Sequence, residues 1–414
     1  MIMKKTFTIL LLIYLLTCWW LSQPGFTAFD VSGWGARPTG MGGAFTAISD
    51  DVNAIFFNPA GTAQLNHIEG IFMHCIPYLG LDLKVWDDVA FNFRDIGLGM
   101  NYFAAAYPAG KIGTFGIGWT SLSASGLYSE NTISINYAKK VISSKKEDRK
   151  RDWQYNRDLD LYAGLNLKYL FHSYILDDRT QNDPVFGGDG SLTYDTGFTA
   201  ELGCLAVIRQ DISVGLMIKN LIPANIGLTE KEILYPEIRL GGAYKVNNFV
   251  TPAVDISYRF GVPVSQRFNF NLGCEAWFSD RTLGIRTGLN LDEIGIGFSY
   301  RKLMETFGGR VDYSFNYPFR ISSTLGTHRI SLVFQYGKEL GVEDARQLRN
   351  LDNRDQKARM KQCWTWFQRT RLHTKSAPVT AIQGIILSEK RWMTADCLML
   401  PASANAPLNF ISGL

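Results

Sequence analysis

The sequence predicts an all-β fold, a transmembrane antiparallel β-barrel of about 14 strands, and three observations support this. Apolar and polar side chains alternate along segments of about 10 residues, as in strands that cross a bilayer. Tight and long connections alternate between these segments. After the N-terminus, no apolar run reaches the roughly 18 residues that indicate a membrane-spanning helix.

The first element is a secretion signal, predicted over residues 1–28. Two lysines precede an apolar run at residues 7–21, and a short polar stretch ends it. A run of about 15 apolar residues is short for a membrane anchor, which usually takes about 20. We expect cleavage near Thr27 or Ala28. A lipoprotein signal ending at Cys18 is the less favoured alternative, because Thr precedes this cysteine and two Trp follow it.

The barrel strands are predicted from the alternation, which is clearest at residues 159–169. There Leu, Ala and Tyr side chains of one parity oppose Asp160, Gly164 and Lys168 of the other. A shift of one residue would turn each strand inside out, so the register is strongly specified. The predicted strands are 68–79, 97–107, 112–122, 130–141, 158–171, 193–208, 211–220, 235–246, 249–260, 267–279, 281–291, 293–302, 309–317 and 327–337.

The connections provide a second test, because bacterial barrels carry tight turns at the periplasmic end and long loops at the outer end. Tight joints are predicted at 108–110, 209–211, 246–248 and 279–281, and long loops at 80–96, 172–192, 221–234 and 318–326. The charged stretch 145–151 is long where a tight turn is expected. It is either a periplasmic excursion or a sign that the strand count is wrong there.

A soluble secreted β-sandwich is the competing fold, since its strands alternate as well. Its strands usually run about 5–6 residues, shorter than several predicted here. Aromatic side chains near strand ends favour the barrel, because they suit a girdle at the membrane interface. The predicted girdle is Trp119, Tyr137, Tyr169, Phe171, Tyr244, Tyr258, Trp277, Tyr300 and Tyr336.

A Gly-rich segment, residues 29–66, separates the signal peptide from the first strand. Its core, residues 35–61, is neither a strand nor a lipid-facing helix. Irregular backbone is tolerated at membrane depth only where protein covers it or where it lines a watery cavity. We therefore expect this segment to form a hatch inside the lumen of the barrel, which itself is predicted over residues 67–338.

Three parts of this segment carry a family resemblance: Gly40-Met41-Gly42-Gly43-Ala44, the acidic pair Asp50-Asp51 and Asn58-Pro59-Ala60-Gly61. They resemble the amino-terminal signature shared by the long-chain fatty-acid transporter (FadL) family and the PorV/PorQ family of outer-membrane proteins. Barrel motifs such as 165–169 and 326–332 are more similar to PorV/PorQ proteins. The resemblance spans about residues 33–338 and implies a 14-stranded barrel plugged by an N-terminal hatch.

In the resembled transporters the hatch moves when a hydrophobic ligand passes, so its signature residues are candidate gating residues. The opposing interpretation is that the segment only fills the barrel, because shape and gating would select the same residues. Glycines allow sharp bends, and an Asn before Pro can cap its own turn. The candidates are Gly40, Met41, Gly42, Gly43, Asp50, Asp51, Asn58, Pro59 and Gly61.

Charged side chains of the polar parity are expected to face the lumen. They form either a solute path or mutual ion pairs and hatch contacts, and the second interpretation is favoured for most of them because buried charges need partners. The predicted lumen-facing residues are Asp160, Lys168, Lys219, Arg239, Asp255, Arg259, Glu275, Arg286, Arg301 and Arg329.

Two functions from different classes follow from the resemblance. The first is passive transport of small hydrophobic or amphipathic solutes across the outer membrane of a Gram-negative-type envelope. The second is a non-transporting, PorV-like barrel that docks or shuttles proteins in type IX secretion. The expected partners are outer-membrane lipid and a hydrophobic small molecule, or secretion-system and secreted proteins under the second hypothesis.

Other functional classes are not supported by the sequence. The histidines lie near no nucleophile motif, so we expect no enzyme. Neither a metal site nor a cofactor is predicted: the cysteines lack zinc or disulfide spacing, and the loop acids at 177–189 match no calcium loop. Nucleic-acid and phosphate motifs are absent, because residues 40–43 do not join a strand to a helix.

The C-terminal tail, residues 339–414, lacks the barrel pattern. Its first part is charged and compatible with a helix, and its later apolar runs show no sustained period. We expect a poorly ordered appendage or a reading-frame artefact. A periplasmic tail that binds anionic partners is the functional alternative.

Overall fold

The computed structural model describes residues 29, 33–80, 82–86, 89–92, 98–124, 127–144, 159–176, 180–188, 190–246, 249–321 and 324–337. The predicted signal peptide, the charged stretch 145–151 and the C-terminal tail lie outside the described residues.

The described chain forms a closed antiparallel barrel of 14 strands, so the predicted fold class is confirmed. Its strands are β1 (Ile68–Ile76), β4 (Leu98–Pro108), β5 (Thr114–Ala124), β6 (Tyr128–Ser144), β7 (Leu159–Tyr174), β8 (Tyr194–Ile208), β9 (Ile212–Lys219), β12 (Glu237–Tyr244), β13 (Val250–Arg259), β14 (Phe268–Phe278), β15 (Leu283–Leu289), β16 (Glu293–Leu303), β17 (Phe307–Pro318) and β18 (Thr327–Tyr336). Each corresponds to one strand of the sequence prediction. The barrel closes where β1 pairs with β18, with Ile68 opposite Tyr336.

Two short hairpins lie outside the barrel sheet. One consists of β2 (Asp82–Trp86) and β3 (Val89–Asn92), and the other of β10 (Ala224–Asn225) and β11 (Ile233–Leu234). Both fall in segments that the sequence predicted as long loops, because strands this short leave no alternation to recognise. No helix among the described residues is long and apolar enough to cross a membrane.

The outer face of the barrel is apolar. Ile135 and Phe198, for example, are 61% and 69% exposed on this face. The inner face carries the buried polar side chains, and the two faces alternate residue by residue along every long strand. Because the sheet is closed, each strand pairs its backbone N–H and C=O groups with two neighbours. The apolar outer belt can then face lipid, as in strands that cross a bilayer.

One girdle assignment was wrong. Trp277 lies on the inner face, only 8% exposed, with Arg286 and Arg301 over its indole ring. Its parity matches that of the inward-facing Glu275, so the alternation itself places it inward. By contrast, Tyr244 and Tyr300 are exposed on the outer face.

The two ends of the barrel differ in their connections. At one end, which we call the tight-turn end, short turns such as 209–211, 279–282 and 304–306 join successive strands. Ser279, Asp280 and Arg281 all adopt positive φ there, between 50° and 63°, as tight hairpin turns require. The long connections 175–193 and 220–236 lie at the opposite end, which we call the long-loop end.

Residues 33–66, hereafter the N-terminal segment, precede the first strand. They contain helices α1 (Ala36–Gly40) and α2 (Ala54–Phe57) and a 3-10 helix, Pro59–Gln64. Nearly all of these side chains are buried, and their contacts reach strands on every side of the barrel. A segment that touches the inner face all around is located in the lumen.

Candidate functional site

The N-terminal segment lies against the barrel wall without intervening side chains at several wall glycines. A Cβ atom added at Gly288 would lie 1.9 Å from the carbonyl carbon of Met41. One added at Gly164 would lie 2.4 Å from the backbone of Pro59 and Ala60. Only glycine permits such close approach, so the wall is shaped to hold this segment.

The first candidate gating residues form a turn after α1. Gly40 packs against Gly297 of β16, and Met41 is fully buried. Gly42 and Gly43 have φ values of 63° and 84°, a conformation that L side chains rarely adopt. This turn redirects the chain across the lumen.

The last candidate gating residues fasten the end of the segment. Asn58 Oδ1 accepts a hydrogen bond from the backbone N–H of Ala60, and its Nδ2 donates to Cys204 O on β8 at 3.0 Å. Pro59 packs on the wall glycines of β7 and β8, and an added Cβ at Gly61 would lie 2.1 Å from Ser49 O. These residues are therefore sterically fixed in this conformation.

A network of buried charges connects the segment to the wall. Arg37 of α1 donates to both carboxylate oxygens of Glu275 on β14, at 2.8 and 2.7 Å. The same carboxylate accepts from Arg286 of β15 at 2.5 Å. Asp51 of the segment accepts from Arg37 at 2.9 Å and from Arg310 of β17 at 2.7 Å. Three guanidinium groups and two carboxylates are thus paired across the boundary between segment and wall.

The titration of Asp51 reflects this network. Burial raises the pKa of its carboxyl, but the positive charges of Arg37 and Arg310 outweigh this and lower the pKa from an ordinary 3.8 to about 2. A carboxyl whose pKa is lower in the folded state stabilises the fold above its unfolded pKa. That contribution disappears as the pH falls toward the folded value.

We therefore predict that Asp51→Asn lowers the free energy of unfolding more at about pH 6 than at about pH 2. Guanidinium titrations of both proteins in detergent at the two pH values measure this difference. An equal loss of free energy at both pH values would show that the ionised carboxylate of Asp51 does not stabilise the fold.

Further polar contacts hold the segment along its length. Asp255 of β13 accepts from the backbone N–H groups of Phe45 and Thr46, at 3.0 and 2.9 Å. Arg329 of β18 donates to Gly33 O at 3.0 Å. Asp50 is more exposed than the other candidate gating residues. It pairs with Arg37, but its side chain is 43% exposed.

The remaining predicted lumen-facing residues pair mainly with other wall residues. The structure places all ten predicted residues on the inward parity of their strands. The wall pairs are Asp160 with Lys140, Lys168 with Glu201, and Arg239 and Arg259 with Glu237. Lys219 lies opposite Glu237 in the β9–β12 register, and Arg301 donates to Arg281 O.

Several charged residues of the lumen were missing from the sequence candidates, among them Arg37, Glu237, Arg310 and Asp312. Arg310 and Asp312 lie on the inward parity of β17, and Glu237 lies on that of β12. The parity rule that selected the other wall residues would have found these three, and Glu201 of β8 as well. Arg37 precedes the first strand, so the alternation of strand residues does not apply to it and could not indicate its role.

One sector of the inner wall is apolar. Ile71, Met73 and Cys75 of β1 and Met100 and Tyr102 of β4 all face inward and are at most 3% exposed. They form a single cluster with apolar side chains of the N-terminal segment. The lumen is therefore divided between this sector and the charged wall of β12–β17.

A cavity of about 290 Å³ separates the N-terminal segment from the tight-turn end. Its lining is mixed: the segment contributes Arg37, Asp50 and Leu65, whereas the wall contributes residues such as Trp277 and Lys245. Within the described residues no group of His, Cys, Asp and Glu side chains is arranged to bind a metal ion.

Comparison with known proteins shows no matching family model and no matching curated protein. Solved structures do match at low sequence identity. The chain is 14% identical to the Ralstonia pickettii toluene transporter TbuX, covering 75% of this chain and 100% of that one, with a TM-score of 0.48. For the CymD monoaromatic hydrocarbon channel the identity is 13%, the coverage 76% and 99%, and the TM-score 0.48. A Pseudomonas aeruginosa FadL homologue is also similar, at 14% identity, 74% and 98% coverage and a TM-score of 0.44.

Proposed function

We propose that this protein is an outer-membrane channel that admits small hydrophobic or amphipathic solutes by diffusion. In the conformation described here, the N-terminal segment closes it. The observation that carries the proposal is a wide barrel whose lumen is occupied by a separate, non-strand segment rather than by wall side chains.

The size of the barrel supports a conduit. An interior of about 8 strands is just filled by its own side chains, and the diameter grows roughly linearly with strand number. A barrel of 14 strands therefore encloses space that its own side chains do not fill. The N-terminal segment occupies that space, so its displacement would open a passage.

The apolar sector of β1 and β4 supports a hydrophobic or amphipathic solute in this proposal. Phe56 of α2 packs edge-on against Tyr102 of this sector, with ring centroids 5.0 Å apart. When the segment moves, an apolar solute would replace these contacts and keep the sector out of water. Displacement then loses little of the hydrophobic free energy that the segment had provided.

The fastenings on the charged side are also compatible with movement. Arg37 and Asp51 bond to wall groups that can exchange these partners for water once the lumen is hydrated. At Gly288 and Gly164 the wall contacts the segment only through close van der Waals packing, which can separate without breaking a bond.

Deleting residues 33–61 tests the proposal. We expect the refolded deletion to have a higher conductance in planar bilayers than the full chain, because the space filled by the segment becomes water. Folding is checked by β-rich circular dichroism and by migration on gels with and without heating. Unchanged conductance in a folded deletion would contradict a conduit and favour a docking barrel with a filled lumen.

A further inference from the structure

Phe29, the residue that follows the predicted signal peptide, lies in a pocket at the long-loop end of the barrel. It packs against a buried apolar cluster formed by Leu170, Ala224, Ile226 and Leu234. The residue at which the sequence places the start of the mature chain is therefore held by tertiary contacts.

A buried carboxylate faces the backbone nitrogen of Phe29. Glu130, near the start of β6, is 8% exposed, and its Oε2 accepts a hydrogen bond from the N–H of Phe29 at 3.0 Å. Its Oε1 accepts from the hydroxyl of Tyr128 at 2.8 Å. Both donors are neutral, and Glu130 forms no salt bridge within the described part of the chain. A buried carboxylate without a cation is costly, so a positive charge is expected at this position.

The same pocket contains a second acceptor. His172 of β7 lies opposite Glu130 in the register of the two strands, and its ring lies edge-on to that of Phe29, with centroids 5.8 Å apart. A carbonyl oxygen can only accept, so His172 Nε2 donates to Ile226 O, at 2.8 Å. In the neutral ring Nδ1 is then an acceptor, and it is buried without a hydrogen-bond partner. The pocket can therefore accept more hydrogen bonds than one peptide N–H supplies.

The backbone conformation of Phe29 also favours a chain that begins at this residue. Its φ is 60°, a left-handed conformation that is rare for a bulky L residue. This torsion is defined by the carbonyl carbon of the preceding residue. A chain that starts at Phe29 has no such carbonyl, so cleavage before Phe29 removes the strain.

We propose that the peptidase that removes the signal peptide cleaves between Ala28 and Phe29, and that the new α-ammonium group docks on Glu130 as a buried ion pair. Hydrolysis adds the hydroxyl of water to the carbonyl carbon of Ala28 and a hydrogen to the nitrogen of Phe29. The resulting α-amine takes up a further proton at neutral pH. An ammonium group has three donors, which suits a pocket with both Glu130 and the free Nδ1 of His172. The inference goes beyond the proposed channel and does not depend on it.

The first test is the intact mass of the protein purified from outer membranes, together with sequencing of its N-terminal peptide. The chain should begin at Phe29. A mature chain that begins at any other residue would overturn the proposal.

The second test measures how fast an amine-selective reagent labels the terminal amine of the folded protein in detergent. Glu130→Gln should be labelled at least about tenfold faster than the unmodified chain, because a neutral amide no longer holds the ammonium by a charge-assisted hydrogen bond. Glu305→Gln is the matched control, since Glu305 is an exposed glutamate in a tight turn at the opposite end. It should be labelled at the rate of the unmodified chain.

A glycine inserted between Ala28 and Phe29 shows whether the pocket recognises the charge. The processed chain then begins at this glycine, which moves the ammonium about 3.8 Å along the backbone per residue added, while Phe29 keeps its N–H. Its amine should be labelled fast, and Glu130→Gln should add no further increase. The proposal fails if Glu130→Gln is labelled no faster than Glu305→Gln, or if the inserted glycine leaves the amine as protected as before. Gel migration with and without heating shows that each variant is folded.

Discussion

Replacing Glu275 with alanine is expected to lower the free energy of unfolding by about 3–5 kcal/mol, the usual cost of removing one partner of a buried ion pair. Glu275 is 3% exposed and accepts from both Arg37 and Arg286. Its loss leaves two buried guanidinium groups without their shared anion. Because Arg37 belongs to the N-terminal segment, we also expect the segment to be cleaved faster by added protease. Guanidinium titration and limited proteolysis in detergent measure the two effects.

Asp160→Ala is the matched control for this prediction. Asp160 also faces the lumen and pairs with a wall cation, Lys140, but the two side chains are 22% and 39% exposed. A solvated pair of this kind contributes about 0–1 kcal/mol. Equal losses of stability in the two variants would mean that Glu275 is not central to the fastening of the segment.

The barrel itself was predictable because its signal is local. At residues 159–169, for example, alternation alone identifies which side chains face lipid and which face the lumen. The same rule placed Arg329 on the inner face, where it bonds to Gly33 O. Lipid imposes one condition on every strand, so each strand carries the pattern independently of its neighbours.

The pairing of the charges was not predictable in this way. Arg37 and Glu275 are 238 residues apart, and their contact depends on barrel closure and on the path of the segment through the lumen. Lys245 and Arg281 lie in turns, where no period exists to show which way a side chain points. The shared cavity of these two cations therefore emerges only when neighbouring tight turns are brought together.

The short hairpin of β10 and β11 illustrates a third limit. Ile226, which follows β10, is fully buried and its carbonyl oxygen lies 2.8 Å from His172 Nε2. The sequence of this loop gave no sign of it, because the burial of Ile226 comes from tertiary contact with Leu170 and Leu234. Secondary-structure propensity and the alternation of polar and apolar residues describe a segment by itself. They do not describe the surface against which the segment packs.

A covalent clamp between segment and wall is expected to abolish solute passage. The hydroxyl oxygens of Thr39 in α1 and Ser314 in β17 are 2.9 Å apart, and each is one bond from its Cβ. Cysteine sulfur atoms at these two positions would therefore start close together, so that a disulfide can form after a small adjustment of the side chains. Thr39→Cys/Ser314→Cys should form this bond when a mild oxidant is added and release it on reduction. Thr39→Cys alone, treated identically, controls for the native cysteines.

The most direct test of the account is the uptake of an apolar fluorescent probe by cells that carry this clamped protein in an otherwise intact outer membrane. If the N-terminal segment gates a conduit, the oxidised double variant admits no more probe than cells without the protein, and reduction restores uptake to the level of the unmodified chain. Equal uptake before and after reduction, with the disulfide verified by mass spectrometry, would contradict gating by this segment.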